Sequence, residues 1–217
     1  MKTYWTSEAI NGAYLAPCET KESYSKDLNR KWVDQYPLRC WTVDLPVNSI
    51  PDGCANVNGE VVLDLGCGFV GASVSTNYVS TPERFLELGA TKVIGVDLTA
   101  NDITILEQKL PKDKFVGVCD KVDTHEKYRR LIQQHNPTIV KSDIEGDEIM
   151  LLSLPNEEFS NIKEYYMECH NRELFSSFLK KFDECGYDIR EVICYNPEFG
   201  WPDFPEIVRI IYAYKKI

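Results

Sequence analysis

From residue 60 onward, short runs of apolar and β-branched residues alternate with longer stretches whose apolar positions recur at helical spacing. The runs 61–65 (VVLDL), 92–97 (KVIGVD), 114–118 (KFVGV), 138–142 (TIVKS), 163–169, 187–194 and 206–215 predict strands. Helices are predicted at 70–79, 82–89, 101–110, 124–135, 146–152 and 172–185. "FLELGA" and "FDECGY" close two of these helices at Gly89 and Gly186, where glycine takes the left-handed conformation of a C-terminal cap. Strands that are apolar nearly throughout must be buried on both faces. The pattern therefore predicts an α/β fold, a doubly wound and mostly parallel sheet. The last two strand runs have no helix between them, so a hairpin places an antiparallel strand at the C-terminal end.

Residues 1–58 lack this alternation. "KESYSKDLNRKWVDQY" predicts a helix and "DLPVNSIPDGCANVNG" a loop, which makes the segment an extension packed on a single domain of residues 59–217. The connection "NPEFGWPDFP" (196–205) holds three prolines and three aromatics, and reads as an ordered surface lobe or lid.

Composition narrows the class. A chain of 217 residues, 43% hydrophobic and 27% charged, has ample core material for a soluble globular protein. No apolar run reaches the roughly 18 residues that span a bilayer, and the start lacks a basic region followed by an apolar one. A cytoplasmic location is expected. The formal net charge of −10 argues against a nucleic-acid partner, because gripping a phosphate backbone takes clustered Lys and Arg. "KYRRL" (127–131), with acids on either side, reads as a solvated helix face. The eight cysteines form no C-x-x-C pair, which disfavours a compact zinc site, and several sit in apolar runs as small buried hydrophobes. Both points favour a reducing compartment.

The chemistry starts at "VLDLGCGFVGAS" (62–73), where Gly66, Gly68 and Gly71 take the spacing G-x-G-x-x-G between a predicted strand and a predicted helix. In an open α/β sheet such a turn lies beside the ligand crevice at the strands' carboxyl ends. "VIGVD" puts Asp97 at the end of the second strand, placed to accept hydrogen bonds from both hydroxyls of a ribose. That requirement is shared by NAD and S-adenosylmethionine. Asp64 separates them, since a carboxylate competes with a pyrophosphate for the turn's N–H groups but attracts an ammonium or a sulfonium. Opposite unit charges about 4 Å apart gain on the order of 4 kcal/mol at an effective dielectric near 20. Asp120 and Asp143 follow the third and fourth strands, and no Lys or Arg stands in the turn. The expected cofactor is S-adenosylmethionine, bound by Asp64, Gly66, Cys67, Gly68, Gly71, Asp97, Leu98, Asp120 and Asp143. An NAD-dependent oxidoreductase and a non-catalytic cofactor-binding module are the alternatives.

"VLDLGCGFVG", "VIGVD" and above all "IVKSDIEGDEIMLL" resemble the FkbM-type S-adenosylmethionine-dependent methyltransferases, whose fourth-strand motif reads K-x-D-x-E-G-x-E. Lys141, Asp143, Glu145, Gly146 and Glu148 match that motif position by position, and "YYMECH" followed by "CGY" is similar to the family's fifth strand and its sequel. The resemblance covers roughly residues 58–190, and departs from the family where Asp97-Leu98 stands in place of a common Glu-Pro pair. It implies a class I methyltransferase sheet of seven strands with the last antiparallel, and transfer to an oxygen of a small molecule or glycan.

Methyl transfer removes charge from sulfur, so a carboxylate at the sulfonium stabilises the reactant more than the transition state. Asp64 and Asp143 are accordingly expected to hold the cofactor, while Glu145, Glu168 and His170 are the candidates for the acceptor's proton. An imidazole with an ordinary pKa near 6.5 would suit a base at neutral pH. His125 and His135 flank a polar helix and read as surface residues. Asp143, Glu168 and Asn171 could offer oxygen ligands to Mg²⁺, as in catechol-type methyltransferases, but Cys169 and His170 interrupt the acid-acid-amide spacing. No metal is expected.

Overall fold

Side chains alternate along β2 (Val61–Leu65): Leu63 and Leu65 face one helical layer, Val62 and Asp64 the other. Around this strand the computed structural model describes residues 2–5, 57–68, 80–170, 172–194 and 208–215. The helices expected at 70–79 and within the first 58 residues, Gly71, Asn171 and the lobe at 196–205 lie outside the described residues.

The other strands are β1 (Lys2–Trp5), β3 (Lys92–Asp97), β4 (Phe115–Cys119), β5 (Ile139–Ser142), β6 (Glu164–Cys169), β7 (Asp188–Cys194) and β8 (Val208–Tyr214). They form one sheet in the order β1-β7-β8-β6-β5-β2-β3-β4. Only β8 runs antiparallel to its neighbours, between β6 and β7, and every other adjacent pair is parallel. The expected α/β sheet with one antiparallel C-terminal strand is present. The seven expected strands are present, and an eighth, β1, adds to the edge at β7 with Lys2 opposite Glu191 and Trp5 opposite Cys194. Four residues are too few to carry a readable alternation, and their partner lies far along the chain.

Among the described residues the helices are α1 (Thr81–Glu87), α2 (Ala100–Lys109), α3 (His125–His135), α4 (Ile149–Leu152), α5 (Asn156–Phe159) and α6 (Arg172–Glu184). Two of them carry a side-chain cap for the backbone groups left over at their N-termini. The Ser80 hydroxyl accepts the Glu83 N–H at the start of α1, and the Thr124 hydroxyl accepts the Lys127 N–H at the start of α3. Gly89 and Gly186 have φ of +96° and +74°, as their position after a helix demands. The helix expected at 146–152 is shortened to α4, because Glu145 and Gly146 have φ of 56° and 104° and cannot continue a right-handed helix.

The two faces are packed separately. On one, Leu63, Ile94, Val140, Tyr165 and Met167 meet Phe178 and Phe182 of α6. There Phe159 stacks on Tyr165 with ring centroids 4.5 Å apart. On the other, Val62, Val93, Ile139, Tyr166 and Tyr212 meet Phe85 of α1 and Leu106 of α2. Among the described residues no helix is long and apolar enough to cross a membrane.

Candidate functional site

β2 pairs with β3 on one side and β5 on the other, so strand order reverses there and the connections leave a crevice at the carboxyl ends. A crevice does lie there. Leu65, Gly66 and Gly68 at the end of β2, Asp97 and Leu98 at the end of β3, Asp120 after β4, and Asp143 and Glu145 after β5 all line it.

The two described glycines of the turn are needed for different reasons. Gly66 has φ of +76°, and a Cβ there would stand 1.8 Å from the backbone oxygen of Asp143. Only glycine lets the chain cross the exit of β5 so closely. The N–H groups of Gly66 and Cys67 donate to the Val96 carbonyl at 2.9 and 3.1 Å, fixing the turn to β3. A Cβ on Gly68 would come within 2.5 Å of the Asp97 carboxyl. Instead the Gly68 N–H donates to Asp97 Oδ2 at 2.8 Å, while the Thr99 N–H donates to Oδ1 at 2.8 Å. Asp97 is therefore held rigidly beside the turn.

Cys67, Leu98 and Asp120 fall in three different environments. The Cys67 thiol points away from the crevice into the second core cluster, next to Gly95, and burial pushes its pKa well above the usual thiol value. Cys67, expected among the cofactor-binding residues, thus keeps its thiol in the core. Leu98 is 67% exposed and forms an apolar wall of the crevice. Asp120 pairs with Lys127 and Arg130 at 3.1 and 3.2 Å, and the hydrogen bond from Lys127 holds its carboxyl below the ordinary range.

Asp64 departs most from the sequence reading. It is fully buried, and its Oδ2 accepts the Thr81 hydroxyl. Parallel register sets Asp64 directly opposite Lys141, and on a shared face the two side chains meet with Nζ 3.2 Å from Oδ1. Lys141 Nζ also donates to the Gly66 carbonyl at 2.7 Å and lies 3.8 Å from Asp143 Oδ2. Burial raises the Asp64 pKa, opposed by the charge of Lys141. The carboxylate expected to await a cationic ligand is thus already matched by a lysine of this chain. What it fixes is the position of the turn.

Beyond the turn, residues from β5, β6 and the loop between β5 and α4 converge. His170 Nε2 lies 3.4 Å from Asp143 Oδ1, 3.5 Å from Glu145 Oε2 and 4.0 Å from Glu168 Oε1. Its Nδ1 faces Glu148 Oε1 at 3.4 Å. Glu148 is fully buried, and its two oxygens accept the N–H groups of Ile144 and Gly146 at 2.7 and 2.8 Å. It builds the loop that presents Glu145, whose side chain is 79% exposed. Burial alone would lower the His170 pKa, but hydrogen bonds with Asp143 and Glu148 and the surrounding acids push it up to about 10. The imidazole expected to act as a free base is instead enclosed by four carboxyl groups. Burial, reinforced by the charge of Asp143, pushes the Glu168 carboxyl up to about 8. Burial would also raise Asp143, but Lys141 and His170 outweigh it and hold that carboxyl below its usual value.

The expected residues Asp97, Asp120, Asp143, Glu145, Glu168 and His170 are therefore gathered at one end of the sheet. Glu148, missing from the expected set, is its organiser, and its only signal was the final acid of the K-x-D-x-E-G-x-E pattern. His125 stands apart, its Nε2 near the Met150 carbonyl and the Ser153 hydroxyl at 3.1 and 2.7 Å.

No family model matches this sequence, and neither does any curated protein. Solved structures do. An S-adenosylmethionine-dependent methyltransferase from Mesorhizobium loti superposes with a TM-score of 0.51 at 13% identity, over 80% of this chain and 98% of that one. A provisionally assigned S-adenosylmethionine-dependent methyltransferase from Listeria monocytogenes gives 0.50 at 14% identity, over 81% and 97%. These likenesses define the fold, the Rossmann-like sheet of the class I methyltransferases.

Proposed function

We propose that this chain is an S-adenosylmethionine-dependent methyltransferase of the FkbM type that acts on an oxygen of a small molecule or glycan. The observation that carries the reading is the turn itself, with Gly68 closed onto Asp97 at the strand-order reversal. The crevice chemistry fits a cofactor that brings positive charge and no phosphate. Asp97, Asp120, Asp143, Glu145 and Asp147 line it, and among the described lining residues the one basic group, Lys121, pairs with Asp147 at 2.8 Å. A pyrophosphate dianion would meet this field unfavourably, which disfavours the NAD alternative.

In this arrangement Asp97 holds the ribose hydroxyls, Leu98 and Asp120 flank the adenine, and the Gly66–Gly68 turn with Asp143 receives the amino-acid end. Asp64 and Lys141 act beneath the turn rather than on the ligand. When bound, the cofactor supplies an electrophilic methyl group. The chain's own part is to align the acceptor and take its proton. Glu145 suits the second task by position, because it is exposed at the rim, whereas both nitrogens of His170 are already engaged by acids. Residues 1–58 we read as an extension of the same domain, a view supported by β1 joining the sheet edge. The net charge of −10 and the acidic rim favour a neutral or cationic acceptor over a nucleic acid, and the same features are compatible with the reducing, cytoplasmic setting inferred from the cysteines.

Titration calorimetry with S-adenosylmethionine, its demethylated product and NAD tests the reading. The first two are expected to bind and NAD is not; micromolar NAD binding would sink it. Within the same assay, Asp97→Ala should weaken S-adenosylmethionine by about 1.5–3 kcal/mol, the range for lost hydrogen bonds to a charged group. An unchanged dissociation constant in a folded variant removes Asp97 from the site.

A further inference from the structure

Asp143, Glu168 and His170 each offer one ligand atom, and these atoms all lie within 4.8 Å of one another. We propose that they bind one divalent first-row transition ion, of which Mn²⁺ is the representative, through a carboxylate oxygen of each acid and Nε2 of His170. The site itself stands on geometry, and only its use in catalysis rests on the methyltransferase reading.

Ligand atoms held about 2.0–2.2 Å from an octahedral ion stand about 3 Å apart. The edges from Nε2 to Asp143 and Glu168 are 3.4 and 4.0 Å, so these two close about an ion with side-chain shifts of about 1 Å or less. Glu145 Oε2, 3.5 Å from Nε2, is within reach as a further oxygen. An Nε2–H can be directed at one carboxylate oxygen, whereas a cation can be shared by all three. The imidazole is also fixed in the way metal-binding histidines are. Glu148, fully buried and pinned by two backbone N–H groups, faces Nδ1 and turns Nε2 toward the other acids. An imidazole with carboxylates and no thiolate suits Mn²⁺ or Fe²⁺ better than Ca²⁺, which prefers all-oxygen cages. His170, which on sequence spacing interrupted an oxygen-ligand set, completes a mixed one. The residues sit where β5 and β6 end, beside Glu145, so an open coordination position would meet an acceptor oxygen entering the crevice.

The test uses the full chain stripped with EDTA and titrated with Mn²⁺ alone, free ion being followed by electron paramagnetic resonance. One ion per chain is expected to bind. His170→Ala and Glu168→Gln should each weaken it at least tenfold, while Asp147→Asn, which removes an acid of the same rim, should change affinity less than twofold. Pulsed spectra of Mn²⁺ bound to the unaltered protein should show coupling to one imidazole nitrogen, a readout independent of how the variants fold. No stoichiometric uptake, no nitrogen coupling, or equal weakening by Asp147→Asn and His170→Ala would each overturn the proposal. S-adenosylmethionine binding to the stripped protein separates the two readings. Cofactor binding without Mn²⁺ uptake removes the metal alone, whereas Mn²⁺ uptake without cofactor binding keeps the site and removes the methyltransferase.

Discussion

Lys141→Met is expected to destabilise the fold by about 3–5 kcal/mol, the usual cost of leaving a buried charge without its partner. Methionine nearly matches the length of the lysine stem, so the loss reports electrostatics rather than a cavity. Asp64 is fully buried, and Lys141 is the cation at 3.2 Å from it. The same substitution removes the donor to the Gly66 carbonyl, so the turn loosens along with the core. The double variant Asp64→Asn/Lys141→Met should recover much of the loss, because a neutral amide can still accept the Thr81 hydroxyl. Urea denaturation of both variants measures the difference. A single-variant loss below about 1 kcal/mol would mean that Asp64 is not held as a charge by Lys141.

Glu145→Gln is expected to lower kcat by about 10²–10⁴-fold, the range for losing a general base, with cofactor affinity changed less than about twofold. The amide keeps the shape of the side chain and its place beside His170, but cannot take a proton. Asp97→Asn should behave in the opposite sense, raising the cofactor's dissociation constant more than it lowers the rate at saturation, because interactions shared by ground and transition states do not enter kcat. An acceptor has to be found first by screening hydroxyl compounds and glycans with labelled cofactor. Near-full kcat in Glu145→Gln would leave alignment, or a group outside the described residues, as the source of catalysis.

The local parts of this site were legible because their causes are local. Gly66 and Gly68 stand out since a turn tight enough to cross β5 and touch Asp97 tolerates no Cβ. Asp97, Asp120, Asp143 and His170 could be placed at strand ends because each directly follows or closes an apolar run. Gly89 and Gly186 marked helix ends through the φ they must adopt. Where the reading missed, the cause was distant in sequence. Cys67 lies between two glycines of the motif, yet its thiol faces the core beside Gly95, because alternation does not carry through a turn. The free imidazole expected of His170 gave way to one enclosed by acids from two strands and a loop.

The sequence by itself determined the α/β class, the positions of seven strands and of most described helices, and the turn with the acid that closes β3. These follow from periodicity, turn chemistry and caps, which act between residues a few positions apart. The tertiary structure alone decided that β1 pairs with β7, that Asp64 meets Lys141, and that Glu148 holds a loop on which His170 and three other acids converge. Those outcomes depend on strand order and register. A shift of one residue would turn Lys141 to the opposite face of the sheet, and register is chosen by the sum of packing across both faces rather than by any one segment.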